Sequence, residues 1–255
     1  MDPITVVLLA VVALVLYLRR GLIFLFLANR AFVRKDEAKT LVWFGRTWKI
    51  RQLNPGMVAS YAYQLLKAGE TAQADELLAT YEREGLARSR KPLKPADHNL
   101  LKTYQSLVLW KQGHLPEALA LLQGLHASGY KTASLYGNLG WFLLEAGDLA
   151  AAEVVCLEAH AWSPSGKVIL DNLASLYLRQ DNLEKAQESY EALLALEPKF
   201  PEAWYGAAQV ALRLENPETA VELLEHALTL PFNSLTTVPR EKVEQSLELA
   251  RSQIA

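Results

Sequence analysis

Two hydrophobic patterns divide the chain. From Ile4 to Leu18 it reads ITVVLLAVVALVLYL without a charge, and after Arg19-Arg20 the apolar character resumes as GLIFLFLA over Gly21 to Ala28. From about residue 55 the pattern changes to short stretches with apolar residues at helical spacing, punctuated by glycine, acidic residues or proline. The first pattern predicts a membrane-inserting helix, and the second predicts a series of helix–turn–helix units in an all-α fold.

The first run is short for its task. Its residues reach about 22 Å at about 1.5 Å each, against a hydrocarbon core of about 30 Å. Two geometries compete: a short span over 3–18 with 22–34 lying along the interface, or one tilted helix to about residue 28 with the arginines snorkelling. The first is preferred, because adjacent arginines point about 100° apart on a helix and are costly at depth. A cleaved secretory signal is the competing reading. Against it stand the absence of a basic leading segment, since Asp2 is the sole early charge, and of a small-x-small cleavage site.

The strongest signal is a period. Ala74, Ala118, Ala152, Ala186 and Ala220 are separated by 44, 34, 34 and 34 residues. Twelve residues before each stands a small residue: Ala62, Ser106, Gly140, Ala174 or Ala208. Four residues after each comes Leu78, Leu122, Cys156, Tyr190 or Leu224, and five before each lies Gly69, Gly113, Gly147, Asp181 or Glu215. Two closely crossing helices need small residues where their backbones meet, a tight turn between them prefers glycine or a polar substitute, and large apolar residues fill the space to the next pair. Pro164 and Pro198 stop the second helix of their units.

A 34-residue helical hairpin with this order of small, turn, alanine, apolar and proline positions resembles the tetratricopeptide repeat. With starts near 55, 99, 133, 167 and 201 the resemblance covers about 55–231. It is clearest in ASLYGNLGWFLLEAGDLAAAEVVCLEAHAWSPSG, and Trp204 stands at the family's tryptophan position. The first two units depart most, with Val58 and Lys102 replacing that aromatic. The resemblance implies a right-handed superhelical solenoid of helix hairpins. The expected organisation is therefore 1–20 as a transmembrane anchor, 21–54 as a basic juxtamembrane and linker helix, 55–238 as about five repeats, and 239–255 as a capping helix. In that last helix Val243, Leu247, Ala250 and Ile254 fall on one face. Whether 36–53 is a degenerate half-repeat or a helix lying on lipid stays open.

Charge sharpens the membrane reading. The net charge is −2 overall, yet residues 19–51 hold nine basic side chains against Asp36 and Glu37, leaving a net of −8 on 52–255. A basic collar on an acidic body argues against a nucleic-acid binder. It instead places Arg19, Arg20, Arg30, Arg34 and Lys35 at an anionic lipid surface. Basic residues on the C-terminal flank of the span direct the repeats to the cytoplasmic side of an inner membrane, in a single pass.

Catalytic signals are missing, and neither enzymatic activity nor a cofactor or metal is expected. His98, His114, His126, His160 and His226 form no ligand spacing, and Cys156 sits at a packing position of its repeat. Ser165-Gly166-Lys167-Val168 lacks the upstream glycine and following hydroxyl of a phosphate loop.

Function is therefore expected on the concave face that, by the resemblance, the first helix of each repeat lines. The family's groove positions give Tyr63, Lys67, Trp110, Lys111, Asn138, Trp141, Asn172, Arg179, Tyr205 and Arg213 as contacts. Basic residues at the thirteenth position of four repeats (Lys67, Lys111, Arg179, Arg213) point to an acidic or carboxylate-terminated partner segment, with Trp110, Trp141 and Tyr205 as apolar anchors. The asparagines would hold its backbone. The competing view makes those cations solvated helix ends. The basic loop 84–97 (Arg88, Arg90, Lys91, Lys94, Pro92, Pro95) is read first as a tolerated insertion and second as a lipid contact. The chain is thus expected to be a membrane-anchored scaffold that binds a protein or peptide, in envelope assembly, secretion or regulated proteolysis. Its rival is a structural subunit held in a membrane complex by helix packing.

Overall fold

The computed structural model describes residues 2–50, 53–85 and 93–254, all helical or in connecting turns. Arg51, the loop residues Arg88, Arg90, Lys91 and Pro92, and the last residue of the expected cap lie outside the described residues. The chain divides into two compact units, Met1–Leu101 and Lys102–Ala255.

The first unit opens with α1 (Pro3–Val33), capped by the Asp2 side chain on Thr5 N at 2.9 Å. Its N-terminal half presents Ile4 through Leu18 almost entirely outward, Ile4 being 80% exposed. The preferred break at the arginine pair does not occur: α1 continues unbroken to Val33. Nothing there forces a break, since proline is absent and Arg20 turns back along the helix. Its guanidinium lies 3.7 Å over the Tyr17 ring and donates to Tyr17 O at 3.0 Å. The segment expected along the interface is thus the second half of one helix.

That second half is also the first arm of a hairpin. The second arm, α2 (Glu37–Lys49), packs on it through Phe24 and Trp43, with ring centroids 5.7 Å apart. Between the arms Lys35 takes a left-handed φ of 57°, Lys35 N bonds Phe32 O and Asp36 N bonds Ala31 O. The same pair of bonds around a left-handed residue recurs at Gly69, Gly113, Gly147, Asp181 and Glu215. This turn satisfies the last carbonyls of one helix while reversing the chain into the next. Lys35 precedes Gly69 by 34 residues, and the buried residues Ala28, Thr40 and Phe44 stand 34 before Ala62, Ala74 and Leu78. The stretch expected as a basic linker thus forms a helical hairpin with the spacing of the later ones, its first arm continuous with the apolar helix. Within 36–53, α2 is the second arm of that hairpin. It also packs on α3 (Pro55–Lys67), where Phe44 and Tyr61 stack at 5.7 Å. The next arm, α4 (Thr71–Thr80), runs into a wide turn at Tyr81–Gly85.

The second unit begins within α5 (Pro95–Lys111) and continues as α6 (Leu115–Ala127), α7 (Ala133–Ala146), α8 (Leu149–Trp162), α9 (Lys167–Arg179), α10 (Leu183–Leu194), α11 (Pro201–Arg213), α12 (Pro217–Thr229) and α13 (Arg240–Ile254). Ala118, Ala152, Ala186 and Ala220 are fully buried where paired helices cross. Asp148, Asn182 and Asn216 cap second-arm helices by accepting from the backbone three residues on, at 3.0, 3.2 and 3.1 Å. Against the last hairpin α13 buries Val243, Leu247 and Ala250 with Leu224 and Ala227, whereas Ile254 stays about half exposed at its end.

Candidate partner-binding groove

First-arm helices α7, α9 and α11 lie side by side, α9 packing on both neighbours. Side-chain to backbone bonds tie each arm to the one before it. Asn138 Nδ2 donates to Thr103 O at 3.4 Å, Asn172 Nδ2 to Gly137 O at 2.8 Å, and Arg179 to Leu144 O at 2.6 Å. The two asparagines proposed to hold a peptide backbone thus hold the neighbouring helix, and Asn172 is almost wholly buried. At the equivalent place in α11 stands Gly206, because the Tyr190 hydroxyl, bonded to Ser175 Oγ at 3.0 Å, already fills the space.

The thirteenth-position cations also find partners inside the chain. Lys67 pairs with Glu37 and Arg213 with Asp181, while Arg179 adds to its Leu144 bond a position 5.8 Å over the Trp141 ring. Lys111 donates to Ser234 O at 2.6 Å. Trp110 donates to Glu145 at 3.0 Å and packs on Phe142, and Tyr63 is partly exposed on α3 in the first unit. Of the membrane-contact residues, Arg19 and Arg30 lie in the second half of α1 and Arg34 and Lys35 just past its end, with Arg20 folded on Tyr17.

Sequence reasoning missed the connection between α12 and α13. Residues 231–239 form no helix, yet 232–237 are half-buried along the first-arm face. Asn233 folds the segment by accepting from Leu235 N at 2.9 Å, Thr237 N donates to Glu202 Oε1 at 2.7 Å, and Val238 is buried. Ser234 meets α5 and Thr237 meets α11, so this segment bridges helices far apart in sequence. Proline at both ends and the turn-forming asparagine were its only signals.

Beside it, Trp141, Asp171, Ser175, Arg179, Glu202, Tyr205, Gln209 and Thr237 help to line a cavity of about 180 Å³. Three polar atoms of that lining are buried without a partner: Trp141 Nε1, Asp171 Oδ1 and Gln209 Nε2. Burial, and then the charge of Glu202, push the Asp171 carboxyl up to about 8, and burial also raises Glu202. Buried polar groups left unpaired cost free energy, so three around one opening single it out as the candidate site.

The profile described as Tetratricopeptide repeat matches residues 105–165 and 172–231. Over these residues the chain carries tetratricopeptide repeats. No curated protein matches the sequence. Among solved structures, a tetratricopeptide repeat protein from Parabacteroides merdae is similar over 91% of this chain and 85% of its own, at 12% identity and a TM-score of 0.68. The Cut9–Hcn1 hetero-tetramer of the APC/C contains a chain similar over 91% of this one but 43% of its own, at 15% identity and a TM-score of 0.71. At these identities the likeness is one of fold. Tetratricopeptide domains bind protein or peptide partners, and the family consists generally of non-catalytic scaffolds.

Other features read as structure. Glu158 gathers His126 at 2.8 Å, Lys131 at 2.9 Å and the Tyr136 hydroxyl at 2.9 Å, stapling α6 and α7 to α8 and holding its own carboxyl down to about 2. Cys156 is buried in the small space beside Gly140, and burial pushes its thiol up to about 12. Among the described residues no group of three or more histidine, cysteine, aspartate or glutamate side chains could hold a metal ion.

Proposed function

We propose that this protein is a membrane-anchored adaptor whose first-arm face in the second unit docks an extended segment of a partner protein. The observation that carries the reading is the cavity beside Trp141 and Tyr205, where buried polar atoms wait unpaired on the face that in such repeats is concave. A solenoid that needed only to be stable would have filled that opening with apolar side chains.

The anchor is α1, the one helix among the described residues long and apolar enough to cross a membrane. Its charge-free run and the basic residues after it support a single pass, with the repeats on the cytoplasmic side of an inner membrane. Arg19, Arg30, Arg34 and Lys35 add attraction to anionic lipid. Because the first hairpin grows directly out of α1, that hairpin is mounted rigidly on the anchor rather than hung from a flexible leash. Such a mount suits presentation of a partner during envelope assembly, secretion or regulated proteolysis. An acidic or carboxylate-terminated segment would bind at Lys111 and Arg179 only by exchanging with Ser234 O and Leu144 O.

The test is photocrosslinking in membranes of the full-length chain carrying a photoreactive residue at Ser175, with the exposed Glu188 on α10 as control. Crosslinks to a discrete protein from Ser175 and not from Glu188 are expected. Equal or absent crosslinking from both would overturn the docking face. A second reading, a structural subunit packed within a membrane complex, is favoured by the exposed Phe26, Phe32, Val33 and Val42 near the first turn. It predicts crosslinks from Phe32 in place of Ser175.

A further inference from the structure

The unpaired atoms of the cavity also say what the partner must bring. The reasoning rests on the docking reading above and adds to it the chemistry of one contact.

Asp171 is buried to about nine-tenths, with Oδ1 facing no donor. Its neighbour in the lining, Glu202, accepts only from Thr237, through the backbone N–H at 2.7 Å and the hydroxyl at 3.4 Å. Neither carboxyl meets a cation. Arg179, two turns further along α9 from Asp171, is held by Leu144 O and the Trp141 face, and Lys242 from α13 lies 5.9 Å over the Tyr205 ring. Two carboxyls share one partly enclosed opening with aromatic rings, and the two cations of its lining, Arg179 and Lys242, lie on Leu144 O and the rings rather than in a salt bridge with either carboxyl. Burying a carboxylate costs several kcal/mol unless a donor or cation meets it. The unpaired donors Trp141 Nε1 and Gln209 Nε2 add places for carbonyl oxygens next to that pocket.

We infer that this cavity receives a basic side chain, arginine or lysine, from the docked segment, with Asp171 and Glu202 as its counter-charges. Trp141 and Tyr205 flank its aliphatic stem and cationic head, as aromatic faces do for such groups. Trp141 Nε1 and Gln209 Nε2 donate to main-chain carbonyls on either side of it. The incoming cation favours the ionised form, so Asp171 releases its proton to solvent on binding and a charge-assisted bond then reaches Oδ1. The recognised feature is thus opposite in sign to the acidic segment expected from the thirteenth-position cations, which are already engaged.

A random peptide-display selection on the full-length protein in lipid nanodiscs tests this directly. Enriched peptides should share arginine or lysine at one fixed position. By fluorescence anisotropy they should bind at least about tenfold more weakly when that residue is citrulline or glutamine. Asp171→Asn together with Glu202→Gln should abolish the preference, while circular dichroism shows the helices intact. Asn and Gln keep the shape of the side chains they replace, so a variant that failed to fold would be seen in that signal. Asp171→Asn alone then serves as the second probe. Enrichment of acidic residues, no fixed basic position, or binding indifferent to both substitutions would overturn the inference. If Ser175 still crosslinks a partner in that event, the docking face stands and only the basic-residue pocket falls; if it does not, both fall.

Discussion

Replacing Gly206 by alanine separates packing from propensity. In an open helix interior this change gains about 1 kcal/mol, because alanine loses less backbone entropy than glycine. Within α11 the added Cβ would stand 2.0 Å from Tyr190 Oη and 2.4 Å from its Cζ. That ring cannot step aside freely: Tyr190 is 2% exposed, and its hydroxyl bonds Ser175 Oγ at 3.0 Å. Forcing the ring over costs about 1–3 kcal/mol in overpacking. Drawing the hydroxyl off its buried partner costs about 1–3 kcal/mol more. Set against the propensity gain, Gly206→Ala should destabilise the second unit by about 3 kcal/mol, within a range of about 1–5. Urea unfolding of the full-length protein in detergent micelles, followed by far-UV circular dichroism, reads this as a lower midpoint at unchanged slope. In a Tyr190→Leu background the clash is gone, and Gly206→Ala should there be neutral or favourable by up to about 1 kcal/mol. A higher midpoint for Gly206→Ala in the native background would refute the geometry of α10 against α11.

Two carboxyls give opposite pH signatures. Asp171 is raised from 3.8 to about 8, so the folded chain keeps a proton that the unfolded chain releases. Its contribution is present below about pH 4 and is lost as pH rises toward 8, and Asp171→Asn should remove that decline and raise stability at neutral pH. Glu158 is lowered from 4.5 to about 2 by the hydrogen bond from Lys131 first and by Tyr136 next, so its contribution holds above about pH 4.5 and fades as pH falls toward 2. Glu158→Gln should flatten that acid limb in chemical denaturation across pH; an unchanged limb would show that the staple contributes nothing. Cys156, with its thiol pushed up to about 12, should resist iodoacetamide in the native protein at neutral pH and react once the chain is unfolded, so labelling of the native chain would contradict its burial. Lys35→Gly should raise the unfolding free energy by about 1 kcal/mol, read as a higher urea midpoint, because Lys35 holds a left-handed φ of 57° that glycine adopts without penalty; no change would argue against a folded hairpin at the base of α1.

Much of the architecture was legible in the sequence because a repeat states its own geometry several times. The alanine at each helix crossing, the small residue twelve before it and the left-handed position five before it are dictated by backbone approach, and a single chain displays five examples to compare. The hairpin at α1–α2 escaped the same comparison. Its turn carries Lys35 where the others carry glycine or an acid, and Thr40 replaces the alanine. Its first arm is also hidden in an apolar run whose composition announces lipid rather than packing. The period was present all the same, at 34 residues from Lys35 to Gly69.

The groove was less legible. Position within a repeat said which residues stand on the first-arm face, yet Asn138, Asn172, Lys67, Lys111, Arg179 and Arg213 are all occupied by partners lying 30 to 123 residues away. A spacing rule describes one helix and its neighbour in the chain, and it carries no information on which distant backbone carbonyl or carboxylate a long side chain will reach.

The sequence by itself determined the helical hairpins, their period and the apolar helix ahead of them, because these follow from local spacing and from how residues partition between water, core and lipid. Only the tertiary structure decided that the apolar helix doubles as the arm of a hairpin, that residues 231–239 lie along the first-arm face, and that Asp171 Oδ1 is left without a donor. Those outcomes depend on which groups meet once the chain has folded back on itself, and on the cost of burying the ones that meet nothing.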